Sequence, residues 1–383
     1  MIENFDSVLN RRDSDSVKWN RYPQDILPLW VADMDFPCPP PVIQAIQERL
    51  AHPVFGYSLP QESTKQSISG WLDRRYNWKV SPEDILLFPG VVPAFNIAAL
   101  AFTNPGDGVV IQTPAYHPFF DVPENASLTV QLNPLVCSNL PRYEIDFKDF
   151  KHQIKPKTRM FMLCNPQNPT GRVFSAAELA SIAEICLEKN VIICSDEIHC
   201  DLIYPPNQHI PIASLSPEIA NAAITLISPS KTFNLAGLKS SAIIIQNQKL
   251  REVFLKQSSG FARSINILGE AALRAAYEDC DQWLDDLLIY LAHNREVLSE
   301  FVKHELPDVS MKVPEGTYLG WLDFTETDIE SPSAFLLENS KVALNAGDWF
   351  GAQYYRFARI NFGCPRDTLL KALKRIKSAL ISP

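Results

Sequence analysis

The chain has 383 residues, of which 46% are hydrophobic and 21% charged, with a net charge of −9. That composition can bury a sizeable core, and the length exceeds one ordinary domain, so a large domain with a smaller one is expected. An acidic surface argues against nucleic acid and anionic membrane as partners, although a pocket can carry local charge of either sign.

The first 40 residues are polar and then rich in proline (DFPCPPP), which suits an extended arm. They lack the basic-then-apolar pattern of a signal peptide. No apolar run approaches the roughly 18–20 residues that span a bilayer, so a soluble, cytoplasmic protein is expected. The eight cysteines form no CxxC pair. Cys164 and Cys194 lie in apolar runs and read as reduced, buried thiols.

Between about residues 80 and 250, short apolar runs alternate with helical patterns. The predicted strands are Ile85–Phe88, Val109–Gln112, Leu128–Leu132, Met160–Cys164, Val191–Ser195, Ile224–Ser228 and Ala242–Gln246. Ser175 and Glu178 form a capping box, and Leu179, Ile182, Ile185 and Cys186 make the apolar stripe of the helix that follows. Strand, helix and strand within about 35 residues form a βαβ unit, so the fold class is α/β, with a mostly parallel sheet covered by helices. Beyond it come a helical stretch over 264–305, strand-like units at Thr317–Phe324 and Val342–Asn345, and a final helix from Asp367. The expected division is an arm over 1–45, a large domain over 46–279 and a small α+β domain over 280–383, the small domain drawing on both termini.

Ligands of parallel sheets bind beyond the carboxyl ends of the strands, and three segments fall there. Ser228-Pro229-Ser230-Lys231 offers an amine able to form an imine beside hydroxyls able to hold phosphate. Alone, Lys231 reads more readily as a surface lysine. Ser195-Asp196-Glu197-Ile198-His199 places a carboxylate at the end of a buried strand, which is costly unless paired. A protonated pyridine nitrogen would pair with Asp196, and a helix N-cap explains it equally well in isolation. Asn165-Pro166-Gln167-Asn168-Pro169-Thr170-Gly171 is a rigid turn with amides to offer, and its Asn168–Pro169 bond is a candidate cis peptide.

Taken together, N-P-x-N-P-T-G, then S-D-E 28 residues after Asn168, then S-x-S-K a further 35 residues on, resemble the fold type I enzymes of the aspartate aminotransferase superfamily. Those enzymes carry pyridoxal 5′-phosphate (PLP). The resemblance implies a Schiff base on Lys231, a pyridinium partner in Asp196, and a ring-oxygen donor in Asn168. It also implies an aromatic platform in Tyr116, phosphate contacts from Gly90, Val91, Val92, Ser228 and Ser230, and a carboxylate clamp in Arg359. Lys239 stands where many relatives have a phosphate-binding arginine. His199 stands where many have a tyrosine, and it is expected near the cofactor. Tyr57 resembles the tyrosine that reaches the neighbouring subunit's site, which implies a homodimer.

Residues 28–37 (PLWVADMDFP), 89–93 (PGVVP), 314–324 (PEGTYLGWLDF) and 359–366 (RINFGCPR) resemble the cystathionine β-lyase and cysteine C–S lyase group, of the MalY/PatB type. The resemblance implies α,β-elimination from an amino acid carrying sulfur on Cβ, giving pyruvate, ammonia and a thiol. A class I/II aminotransferase acting on an L-amino acid and a 2-oxo acid is the alternative, since it shares every residue named. Trp30, Asp33–Phe36 and Tyr318–Trp321 are expected to line or cover the substrate pocket. The bulky segment 351–357 (GAQYYRF) replaces a glycine-rich stretch and is expected to narrow its entrance.

Overall fold

A computed structural model describes residues 4–137, 141–262, 264–306 and 308–381. The apolar runs of the centre form one seven-stranded sheet: β1 (Ile85–Phe88), β2 (Gly108–Thr113), β3 (Thr129–Pro134), β4 (Thr158–Cys164), β5 (Ile192–Asp196), β6 (Ala223–Ile227) and β7 (Ser241–Ile244). The spatial order is β1-β7-β6-β5-β4-β2-β3, and every pairing is parallel except the two made by β7. All seven predicted strands are present, with ends displaced by a residue or two.

Every residue of β2 and β6 is buried, as expected of strands covered on both faces. Val109, Ile111, Met160, Met162 and Cys194 pack towards the helix Val91–Phe102. Their alternates Val110, Phe161, Leu163 and Ile193 pack towards the helix Ala176–Glu188. The period-two alternation of a strand thus feeds two separate cores. The capping box of Ser175 and Glu178 opens the second helix as expected.

The expected helical stretch over 264–305 is two helices, Ile267–Asp279 and Asp281–Glu305, parted at Cys280. The bend lets Leu273, Ala276 and Tyr277 on one side and Trp283, Leu284 and Leu287 on the other enter the same core. A second, antiparallel sheet follows, from β8 (Ser310–Met311), β9 (Leu319–Asp323), β10 (Asn345–Ala346) and β11 (Phe357–Asn361), in the order β10-β11-β9-β8. In the N-terminal arm, Leu27–Pro28 pairs in parallel with Val342–Ala343. The arm also carries a helical turn at Val17–Asn20. Its Lys18 is fully buried and paired with Asp35 at 2.9 Å, and Arg11 binds both Asp33 and Asp35, so no buried charge there lacks a partner. No helix among the described residues is long and apolar enough to cross a membrane.

Candidate active site

The carboxyl ends of β1, β2, β4, β5 and β6 share one edge of the large sheet, and β11 of the antiparallel sheet faces them. Between them lies a cavity of about 790 Å³, lined by Gly90, Val91, Val92, Tyr116, Asn168, Asp196, His199, Ser228, Ser230, Lys231, Lys239, Arg359 and Trp30. Residues scattered from 30 to 359 in sequence therefore converge on one place.

Lys231 sits in a single helical turn, Pro229–Thr232, straight after β6. Its Nζ donates to the Ala32 carbonyl at 2.7 Å. Burial, with Arg359 nearby, lowers its amine from 10.5 to about 8, against the opposing pull of Asp33 and Asp196. Asp196 ends β5 and is 3% exposed. One backbone amide, that of Ile198, donates to its Oδ1 at 3.1 Å. Burial therefore wins, raising the carboxyl from 3.8 to about 7. A buried carboxylate so poorly compensated has room for a cationic partner.

Arg359 projects from β11 and is 3% exposed. It donates to Asn168 Oδ1 at 2.8 Å and to the Trp30 carbonyl at 2.9 Å, while its Nε has no partner. Burial lowers it from 12.5 to about 10. Since Asn168 uses Oδ1 on the arginine, its Nδ2 is the atom left to donate. The turn that holds it contains two cis peptides, Asn165–Pro166 and Asn168–Pro169. It is anchored to the segment before β9, because Gly171 O accepts from the backbone N–H groups of Glu315 and Gly316.

His199 is buried, its Nδ1 has no partner, and burial together with the charges of Lys231 and Arg359 drives its pKa well down. It is therefore a neutral ring. Burial raises the Tyr116 phenol, so it too stays neutral. Gly90, at φ 115°, makes the turn into the helix Val91–Phe102. Its own N–H donates to Phe88 O at 2.9 Å, so the helix-opening amides of Val91 and Val92, which no side chain caps, are the free donors. Ser228 Oγ donates to Ser240 O at 2.7 Å, and the Ser230 hydroxyl lies 2.6 Å from it. Lys239 is exposed at the rim. Amine, isolated carboxylate, flat aromatic and cationic amide cradle together suit a pyridine aldehyde bearing a phosphate.

Three expectations are corrected. Of the arm residues, Trp30 lines the cavity, but Asp33 and Asp35 belong to the Arg11–Lys18 ion cluster, and Met34 and Phe36 are core. Trp321 stacks on Phe357 in the core, and Tyr318 reaches the site by donating to Ala32 O at 3.0 Å and by packing edge-on against His199, ring centroids 6.1 Å apart. The segment 351–357 does not narrow the entrance. Gln353 and Tyr354 hydrogen-bond Thr113, and Tyr354 packs on Trp321. Tyr57 is fully exposed and lies outside the cavity of its own chain. Sequence reasoning missed Arg21, Tyr22, Ser333, Leu337, Leu344 and Trp349, which also line the cavity. None carries a motif, and only the fold brings them there.

The model of the aminotransferase class I and II family matches residues 24–376. The chain belongs to that family. Within it, the chain is 42% identical to cystathionine beta-lyase PatB of Bacillus subtilis strain 168, over 98% of this chain and all of PatB. Among solved structures, cystalysin from Treponema denticola, which contains a pyridoxal 5′-phosphate cofactor, superposes with a TM-score of 0.95 at 33% identity, covering 100% of this chain and 99% of that one. The PLP-bound C–S lyase from Staphylococcus hominis gives 0.92 at 34% identity, covering 99% and 98%. These family members carry the expected fold and, in both structures, the expected cofactor.

Proposed function

We propose that this protein is a PLP-dependent carbon–sulfur β-lyase that cleaves cystathionine or a cysteine S-conjugate. The observation that carries the reading is the end-to-end 42% identity to a cystathionine β-lyase, joined to a cavity whose groups suit amino-acid chemistry. When bound, PLP supplies the electron sink that lets a proton leave Cα.

The remaining work falls to side chains. Arg359 clamps the α-carboxylate with a guanidinium that has no acid of its own. Lys231, its amine lowered from 10.5 to about 8, would hold the cofactor and take the Cα proton. Asp196 would pair with a protonated ring nitrogen, exchanging an isolated buried charge for a paired one. Tyr116 would be the flat support, Asn168 Nδ2 and neutral His199 would stand by the ring, and Val91, Val92, Ser230 and Lys239 would hold the phosphate. The Cβ–S bond then breaks, the thiolate leaves with the electron pair, and water converts the remaining three-carbon fragment to pyruvate and ammonium.

L-cystathionine should give pyruvate and free thiol without any added keto acid. Product that appears only with a second keto acid would overturn the lyase reading in favour of the aminotransferase. A homodimer is part of the proposal, because Val54, Phe55, Tyr57 and Leu59 expose a run of apolar side chains that a second copy would cover, with Tyr57 reaching the partner's phosphate. Sedimentation of a monomer at micromolar concentration would remove that part. A reducing, cytoplasmic setting suits eight cysteines that are all free thiols.

A further inference from the structure

The whole chain is acidic, yet the wall of the cavity carries four cations, Arg21, Lys231, Lys239 and Arg359, against one carboxylate, Asp196. On the reading above, three of the four have work to do. Lys231 carries the cofactor, Lys239 faces its phosphate, and Arg359 takes the α-carboxylate. Arg21 is left over.

Its surroundings are unusual for a surface arginine. Among the described residues its side chain makes no hydrogen bond and no ion pair, and it lies over the Trp30 ring, whose centroid is 5.4 Å from its Cζ. The ring is held in turn by Tyr22 at 6.0 Å, edge-on, and its Nε1 donates to Lys18 O at 3.2 Å. Trp30 thus joins the two arginines of the cavity: its backbone carbonyl accepts from Arg359 and its indole face carries Arg21. An amino acid whose α-carboxylate lies at Arg359 meets Arg21 one tryptophan away, on the arm that folds across the cavity. A guanidinium held over an aromatic ring spends no N–H on that contact and keeps its donors for an anion.

We propose that Arg21 binds a second carboxylate, at the far end of the substrate's side chain, and so selects cysteine S-conjugates whose leaving thiol is itself acidic. The proposal rests on the functional reading for the use of Arg359, Lys239 and Lys231. The contact of Arg21 with a distal carboxylate does not itself depend on C–S cleavage.

Two probes that no β-elimination can consume separate these questions. L-2-Aminoadipate and L-norleucine share an α-amino acid and a straight side chain, and the first ends in carboxylate where the second ends in methyl. Binding of each to PLP-loaded wild type and Arg21→Met is measured by calorimetry. The variant should bind 2-aminoadipate about tenfold more weakly, the size of one charge-assisted hydrogen bond, with norleucine changed less than twofold. An equal loss for both probes, or none for either, would overturn the proposal. In a parallel assay the variant should raise KM for L-cystathionine more than for S-ethyl-L-cysteine, and an identical shift for the two would count against it. If wild type released no thiol from either substrate, the lyase reading would fall while the ratio of the two probe affinities would still decide the role of Arg21.

Discussion

Replacing Arg359 with methionine should separate catalysis from stability. The guanidinium is buried, has no carboxylate partner, and has its pKa lowered from 12.5 to about 10. Since one pKa unit corresponds to about 1.4 kcal/mol, holding that charge in the fold costs roughly 3 kcal/mol. The unfolded chain binds the proton more tightly, so this cost is constant at neutral pH and shrinks only above about pH 10. Methionine removes it, but leaves Asn168 Oδ1 and Trp30 O without a donor, at about 1–3 kcal/mol each. The two effects nearly cancel, and the melting temperature should move little. Nothing cancels in catalysis. Losing a bidentate, charge-assisted grip on the substrate carboxylate costs about 3–4 kcal/mol, or 10²- to 10³-fold in kcat/KM. Pyruvate release from L-cystathionine, coupled to lactate dehydrogenase, measures the second quantity, and thermal unfolding measures the first. A variant that melts many degrees early with kcat/KM intact would refute the reasoning, since Arg359 would then be a structural tie.

Lys231→Ala should abolish turnover, and borohydride should no longer fix PLP to the chain in a mass spectrum; an undiminished rate would overturn the assignment. In the wild type, covalent capture of PLP by the cofactor-free chain should speed up as pH rises through about 8, where the amine loses its proton. Asp196, raised from 3.8 to about 7, keeps its proton longer in the fold than in the unfolded chain, so the cofactor-free protein should lose stability as pH climbs from about 4 to about 7. Asp196→Asn should flatten that loss, by about 4 kcal/mol at most, while lowering turnover by about 10³-fold or more; a denaturant-derived pH profile as steep as the wild type's would contradict this. Gly171→Ala should lower the melting temperature by several degrees and weaken substrate binding. Gly171 has φ 71°, and an added Cβ would meet Pro314 Cα at 2.9 Å, so the turn that carries Asn168 would be forced off the segment before β9.

The elements of the large domain could be read along the chain because each has a local physical cause. β2, β4, β5 and β6 are continuous apolar runs, as strands buried on both faces must be, and the capping box at Ser175 announces its helix. The chemistry at their ends could be read for a related reason. A parallel sheet presents its carboxyl ends on one edge, so Asn168, Asp196 and Lys231 had to be neighbours once their strands were placed. Tertiary structure alone decided what faces them. The Ala32 carbonyl that holds Lys231 lies 199 residues away in sequence, and the Trp30 carbonyl lies 329 residues from Arg359. Contacts across such distances leave no periodicity and no turn signal, since they arise from the docking of one domain on another. That docking set Tyr354 against Thr113 and brought Arg21 onto the wall of the cavity, while Asp33 and Asp35 were taken up by Arg11 and Lys18 of the arm itself. The sequence by itself therefore determined the fold, the cofactor chemistry and the residues at the strand ends, because burial and strand direction are properties of short segments. How the N-terminal arm closes over the site, and which substrate it admits, was decided by packing between segments that share no sequence neighbourhood.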